Sequence, residues 1–175
     1  MFNKKIYKKL FFILIIFIPI YISITKPYIR KIKIKNKIKK RYNININLKD
    51  KLITAKESKT EWYGEKQSFT LLESKNQDTL NSYFNNIELN KNELKFISIK
   101  RIIEIENILN IEKENRINFN DNYNYQIIKK RKRALSSSSE QYNNYLYIIT
   151  VREGNKYKIF LIEDLSVLDL ERSHL

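Results

Sequence analysis

Four glutamates in one stretch are the first residues whose types and spacing suggest chemistry. Glu57, Glu61, Glu65 and Glu73 fall within ESKTEWYGEKQSFTLLE. Two carboxyl groups on either side of a glycosidic bond can hydrolyse it, one as an acid and the other as a base or nucleophile. Acidic residues on turns and strand surfaces are far commoner than such catalytic pairs. We therefore predict that these glutamates are surface residues, that the chain has no catalytic residue, and that it is not an enzyme.

Composition excludes most metal and thiol chemistry. The chain has no cysteine and a single histidine, His174, which excludes thiolate zinc sites, catalytic thiols and multi-histidine metal sites. Asn120, Asp121 and Asn122 could offer oxygen ligands to calcium, but the glycine and closing glutamate of an EF-hand loop do not follow at their fixed offsets. We predict a polar turn there, and neither a metal nor a cofactor.

Five consecutive cations form the sharpest candidate binding motif, Lys129, Lys130, Arg131, Lys132 and Arg133. Four serines follow within KRKRALSSSSEQYN, a polar stretch that predicts a mobile loop near residues 130–141. Such a basic run suits phosphates, anionic lipid or a nuclear import receptor. The competing interpretation is a solvated loop that binds nothing.

The only tryptophan lies beside one of the two glycines. Trp62 and Tyr63 directly precede Gly64, where a glycine would let the chain turn sharply into the strand that follows. The two aromatic side chains either cover the end of the core or contact a ligand. We therefore treat Trp62 and Tyr63, together with the basic run, as the candidate interaction residues.

The net charge of +15 belongs to short segments of the chain. Residues 1–41 carry 13 lysines and arginines and no acid, whereas the remainder carries 21 basic and 19 acidic residues. Without the basic run that remainder would be slightly acidic. A basic domain surface of the kind that binds nucleic acid is therefore not predicted.

The amino-terminal segment predicts a membrane anchor. Residues 10–25, LFFILIIFIPIYISIT, are uncharged between Lys9 and Lys26, which predicts a transmembrane helix after a basic tail at 1–9. Residues 26–41 then form a polybasic juxtamembrane segment, either attracted to anionic headgroups or a simple spacer. A cleaved secretory signal and a buried soluble helix are the alternatives. The positive-inside rule leaves the side of the membrane open.

Residues 42–175 predict one α+β domain. Strands are predicted at KQSFTLLE, at NYNYQIIK and in a hairpin around Gly154-Asn155, with a looser opening strand over 44–55. Helical spacing predicts a helix near 77–86, and LKFISIKRIIEIENILNIEKEN alternates like a strand before Ile102, Ile105, Glu106 and Leu109 take helical spacing. The fold prediction is an antiparallel sheet of four or five strands with one or two helices packed on one face.

Three pieces of the chain resemble a known group of proteins. TEWYGEKQSFTLL, NYQIIKKRKR and YLYIITVREGNKYKIFLIED resemble segments of uncharacterised small proteins of low-GC Gram-positive bacteria, which have a single membrane span and one compact domain. The resemblance implies anchoring in a bacterial cell membrane, a similar fold and a domain that faces outward. It implies no activity and no catalytic residue.

Two classes of function compete. The leading prediction is a membrane-anchored, non-enzymatic domain whose partners are the lipid bilayer and an envelope protein, peptide or other cell-envelope component. The alternative is a peripheral binder of anionic lipid or nucleic acid that acts through residues 26–41 and 129–133, with nucleic acid the less favoured ligand. An enzyme ranks third. The oligomeric state is left open.

Overall fold

The computed structural model describes residues 4–59, 66–77, 80, 83, 96–132 and 142–168. Its elements are α1 (Lys4–Tyr42), β1 (Lys51–Glu57), β2 (Lys66–Ser74), α2 (Phe96–Ile108), a 3-10 turn (Lys113–Asn115), β3 (Tyr123–Lys132), β4 (Tyr142–Glu153) and β5 (Lys156–Leu168). The predicted α+β class is confirmed.

The strands form one five-stranded sheet in the order β1-β2-β5-β4-β3. Every neighbouring pair is antiparallel, which confirms the predicted sheet. The hairpin of β4 and β5 turns at Gly154, whose φ of +58° is a conformation that L side chains rarely adopt. Among the described strands, β1 and β3 lie at the two edges of the sheet.

Both faces of the sheet are covered, which corrects the prediction of helices on one face. Ile102 and Ile105 of α2 pack on one face against residues such as Phe69 and Phe160. Ile38 and Tyr42 of α1 pack on the other. The physical reason is that β2, β4 and β5 are apolar on both faces, so neither face can be left to water.

The packed part of α1 lies within the segment predicted to be a juxtamembrane spacer. Ile34, Ile38 and Tyr42 recur at four-residue intervals, and the last two are only 2% and 3% exposed. This apolar stripe among lysines gives residues 30–42 one face for the sheet and one for solvent. Ile44 and Ile46 continue the same core directly after the helix.

Two of the local predictions change in position or type. The opening strand predicted over 44–55 is β1 at Lys51–Glu57, with Ile44 and Ile46 buried outside any strand. Residues Phe96–Ile108 form a helix, so the strand interpretation of the first part of this stretch is wrong and the helical interpretation of Ile102 and Ile105 is confirmed.

Strand β3 extends the predicted NYNYQIIK strand to Lys132, so residues 130–132 belong to the sheet and not to a loop. Residues 133–141, the remainder of the predicted mobile loop, lie outside the described residues, as do Trp62, Tyr63 and Gly64. The helix predicted near 77–86 also lies mostly outside them, although Leu80 and Tyr83 are seen to be buried in the core.

Within the part of the chain that the structure describes, no helix combines the length and the apolar character needed to cross a bilayer.

Candidate functional site

Glu163 is a buried carboxylate on the face of the sheet that α1 covers. It is 1% exposed, and its oxygens lie 2.6 Å from Lys37 Nζ and 2.8 Å from Arg41 Nη1. Ser68 on β2 donates a further hydrogen bond to it at 2.6 Å. A buried carboxylate without a partner would be costly, and here Lys37 and Arg41 of α1 balance the negative charge of Glu163. This cluster fixes the last turns of α1 on the sheet.

Glu57 at the end of β1 extends the same cluster. Its two oxygens lie 2.6 Å from Lys37 Nζ and 2.7 Å from Lys66 Nζ. Burial works to raise the pKa of Glu57, but the hydrogen bonds from Lys37 and Lys66 outweigh it and lower the pKa to about 2. A carboxylate held ionised in this way is a poor proton donor.

Asp164, the neighbour of Glu163 on β5, occupies the opposite face. It is wholly buried and receives two hydrogen bonds from Arg101 of α2, from Nε at 2.6 Å and from Nη2 at 3.0 Å. This bidentate pair raises the pKa of Arg101 despite the opposing effect of burial. Adjacent acids on one strand therefore bind cations from helices on the two faces of the sheet.

Glu106 on α2 has the chemistry of a proton-binding group. It is 2% exposed and accepts a hydrogen bond of 2.9 Å from the backbone N–H of Ile117. Burial raises its pKa to about 7, against the opposing effects of that hydrogen bond and of Arg116. Its protonation therefore affects the stability of the folded chain.

The basic run lies beside the end of α1. Lys130 Nζ lies 5.9 Å from the centre of the Tyr42 ring, at the end of α1, and Lys129 Nζ lies 5.8 Å from the Tyr145 ring. Lysines 129, 130 and 132 and Arg131 lie on the edge strand β3, paired with residues 142–145 of β4. The structure does not describe Arg133.

Of the four glutamates at positions 57, 61, 65 and 73, the structure describes Glu57 and Glu73, and these two have different partners. Glu57 lies in the cluster above, and Glu73 pairs with Lys156 at 3.1 Å; Glu61 and Glu65 are not among the described residues. Asn118 and Asp121 hydrogen-bond to each other across a turn. Among the described residues no three histidine or acidic side chains are grouped so as to hold a metal ion.

A cleft of about 380 Å³ lies between α1 and the edge strand β1. We call it the α1–β1 cleft. Its lining comprises four residues from each element: Ser23, Lys26, Pro27 and Arg30 of α1, and Leu52, Ile53, Thr54 and Ala55 of β1. Arg30 donates a hydrogen bond to the backbone carbonyl of Ala55 and so closes one end. Sequence patterns gave no signal for the cleft because its two walls are distant along the chain.

No protein-family model, curated protein or solved structure is detectably similar to this chain.

Proposed function

We propose that the chain is a membrane-anchored, non-enzymatic domain that binds an acidic segment of an envelope protein or peptide along its β3 edge. Residues 10–25 are the proposed anchor. The bilayer and this acidic segment are the proposed partners.

The path of α1 is the observation that carries the proposal. Arg30 of this continuous helix contacts Ala55 on β1, at one edge of the sheet. Tyr42, at its end, donates to the carbonyl of Tyr145 on β4 and lies beneath Lys130 of β3. The helix thus crosses the sheet from one edge to the other as it leads away from residues 10–25.

With residues 10–25 in a bilayer, β1 is the strand nearest the membrane and β3 the farthest. Four strand spacings of about 4.8 Å put β3 roughly 19 Å beyond β1. The Debye length in physiological salt is about 8 Å, so the headgroups attract the cations of β3 only weakly. The basic run is therefore better placed for a partner than for the anchoring membrane.

The chemistry of β3 suits an extended acidic peptide. It is the last strand of the sheet among the described residues, and an added strand binds to such an edge through backbone hydrogen bonds. Lys129 and Lys130 supply positive charge at one end of the strand, and Ile127, 37% exposed, supplies an apolar contact. Acidic side chains on the peptide would give the selectivity.

The state of the acids supports a non-enzymatic role. Glu163, Asp164 and Glu57 are each bound to cations that position a helix or a strand. These ion pairs stabilise the fold. A carboxylate that took part in catalysis would first have to break its ion pair.

A second candidate is a polyanion such as nucleic acid or anionic lipid, bound where the basic segments adjoin. The contact between Lys130 and Tyr42 favours it, since it places the end of the 26–41 segment beside the 129–133 run.

The test is binding by the full chain in nanodiscs of zwitterionic lipid. The probes are a peptide of alternating glutamate and valine, one of alternating lysine and valine, and an RNA oligonucleotide. We expect the glutamate peptide to bind best. Lys130→Glu should weaken it at least about tenfold because like charges then face each other, whereas Lys113→Glu, on the 3-10 turn, should not.

Tighter RNA binding with a steep loss in salt would favour the second candidate instead. No binding of either anion, or equal binding by the Lys130→Glu variant, would contradict the proposed site.

A further inference from the structure

We propose that the α1–β1 cleft binds the phosphate headgroup of one anionic phospholipid. This inference rests on the membrane anchoring proposed above and adds a ligand and a site to it.

The charged residues that line the cleft are all positive. Lys26 and Arg30 are the charged members of its lining, and no acidic side chain is among the described residues that line it. They stand four residues apart on α1, so they share a face of the helix and repel each other. A phosphate between them would remove that repulsion and accept hydrogen bonds from both.

Arg30 is already oriented for this role. Its guanidinium donates to the carbonyl of Ala55, which fixes the side chain across the end of the cleft. A guanidinium has five N–H donors, and one bond to a carbonyl leaves donors for a phosphate oxygen. Arginine binds phosphate through such paired N–H groups more selectively than lysine does.

The position of the cleft along α1 matches the depth of the lipid headgroups in the anchored chain. Ser23 belongs to the last residues of the apolar run, and Lys26 is the first charged residue after it. In the anchored chain these residues lie at the boundary between hydrocarbon and headgroups, which spans only about 5–8 Å on each side. The cleft therefore opens where the phosphates of the bilayer lie.

The uncharged part of the lining fits the neighbouring part of a lipid. Pro27, Leu52 and Ile53 present apolar surface, and Ser23 and Thr54 present hydroxyl groups. The volume of about 380 Å³ is at the lower end of the roughly 300–1,000 Å³ of small-molecule sites. It suits a headgroup and its glycerol better than a whole lipid.

The experiment counts lipids bound to the intact chain. Full-length protein in a neutral detergent is titrated with phosphatidylglycerol or phosphatidylcholine, and native mass spectrometry measures occupancy. We expect one tightly bound phosphatidylglycerol. Lys26→Gln with Arg30→Gln should weaken its binding at least about tenfold, as expected for two cations near a lipid phosphate. Lys26→Gln alone, which keeps the Arg30 contact, should give part of this loss.

The matched control is Lys33→Gln with Lys35→Gln, two lysines of the same helix that do not line the cleft. This variant should bind the lipid like the wild type. Equal losses from both double variants would indicate diffuse attraction and overturn the inference, as would equal binding of phosphatidylcholine. Equally tight binding of soluble glycerol phosphate would assign the site to a free phosphate compound instead.

Failure of the anchor is a separate result. A chain that remains with carbonate-washed membranes but lacks the anionic preference would contradict this inference alone. A chain that does not enter membranes would contradict the proposed function.

Discussion

At the residue scale, the decisive pair is Glu163 and Asp164. A strand alternates its side chains, so two adjacent acids in the buried strand β5 must face opposite sides of the sheet. Each is nearly inaccessible, at 1% and 0% exposed, and each is bound to cations of a different helix. Removing one partner of a buried ion pair typically costs about 3–5 kcal/mol. These acids therefore determine where both helices lie.

Glu106 makes stability depend on pH. Its pKa in the folded chain is raised to about 7 from an ordinary 4.5. Between these values the folded state holds a proton that the unfolded state has released, so stability falls as the pH rises through the interval. The loss is about 3–4 kcal/mol at most, since one pKa unit corresponds to about 1.4 kcal/mol.

We expect the free energy of unfolding to fall between pH 5 and pH 8, measured by urea titration of the full chain in neutral detergent with circular dichroism. Glu106→Gln should remove most of this slope, and Glu114→Gln on the exposed 3-10 turn should retain it. Glu57 does not interfere, because its pKa is lowered to about 2 and its contribution is lost only at more acidic pH. An unchanged slope in Glu106→Gln would contradict the assignment.

At the scale of elements, α1 is both the proposed anchor and a layer of the fold. Its apolar stripe packs on the sheet, while Arg30 and Lys31 donate to backbone carbonyls around β1. Lys31 reaches the carbonyl oxygens of Leu48 and Asp50 at 2.5 and 2.6 Å. Lys31, Lys37 and Arg41 of the 26–41 segment thus bind groups of the domain, which leaves fewer cations for headgroups than the composition of the segment suggests.

The boundary of the stable domain follows from these contacts. A fragment of residues 26–175 keeps the described contacts between α1 and the sheet, whereas residues 42–175 lose Ile38, Lys37 and Arg41. The apolar face that α1 covers would then be open to water, and Glu163 would lose its two cations. We expect the shorter fragment to be less stable by at least about 4 kcal/mol, because the buried apolar contacts of Ile34 and Ile38 are lost together with the ion pairs. This is a large share of the roughly 5–15 kcal/mol typical of a domain.

Chemical denaturation of the two fragments measures this difference. Glu163→Gln should destabilise the longer fragment more than the shorter one, because only the longer fragment holds Lys37 and Arg41 against this carboxylate. Equal stability of the two fragments would show that α1 contributes nothing to the fold.

At the scale of the whole molecule, the order of strands places two different surfaces at opposite edges of the described sheet. The α1–β1 cleft adjoins the proposed anchor, and β3 lies at the other edge of the sheet. Anionic lipid at the first surface and an acidic partner at the second would not compete with each other. With both proposed sites in use, the domain would be anchored in the membrane and would bind its acidic partner at the β3 edge.

Anchoring itself is tested by fractionation. We expect the full chain to stay with membranes after carbonate washing, because residues 10–25 are uncharged and transfer favourably into hydrocarbon. The fragment 26–175 should be released. Recovery of the intact chain, Met1 included, in the soluble fraction would contradict the anchor, and retention of the fragment would assign membrane binding to the folded domain.

The sequence by itself determined the local elements. Alternation in KQSFTLLE identified β2, and Gly154-Asn155 identified the hairpin of β4 and β5, because turn chemistry and the period of a strand are properties of adjacent residues. NYNYQIIK was also correctly predicted to be a strand, now β3. The helical spacing of Ile102, Ile105 and Leu109 identified α2 for the same reason. The interpretation of Phe96–Ile99 as a strand failed, since alternation over so few residues does not distinguish a strand from the start of a helix.

Only the tertiary structure decided which surfaces these elements share. The basic segment 26–41 gave no sign that Lys37 and Arg41 meet Glu163, which lies more than a hundred residues away. The sequence also gave no sign that Lys130 lies over the Tyr42 ring or that Arg30 contacts β1. Such contacts depend on the order of strands and on which helix covers which face, and these are settled by burying two apolar faces and two adjacent acids at once.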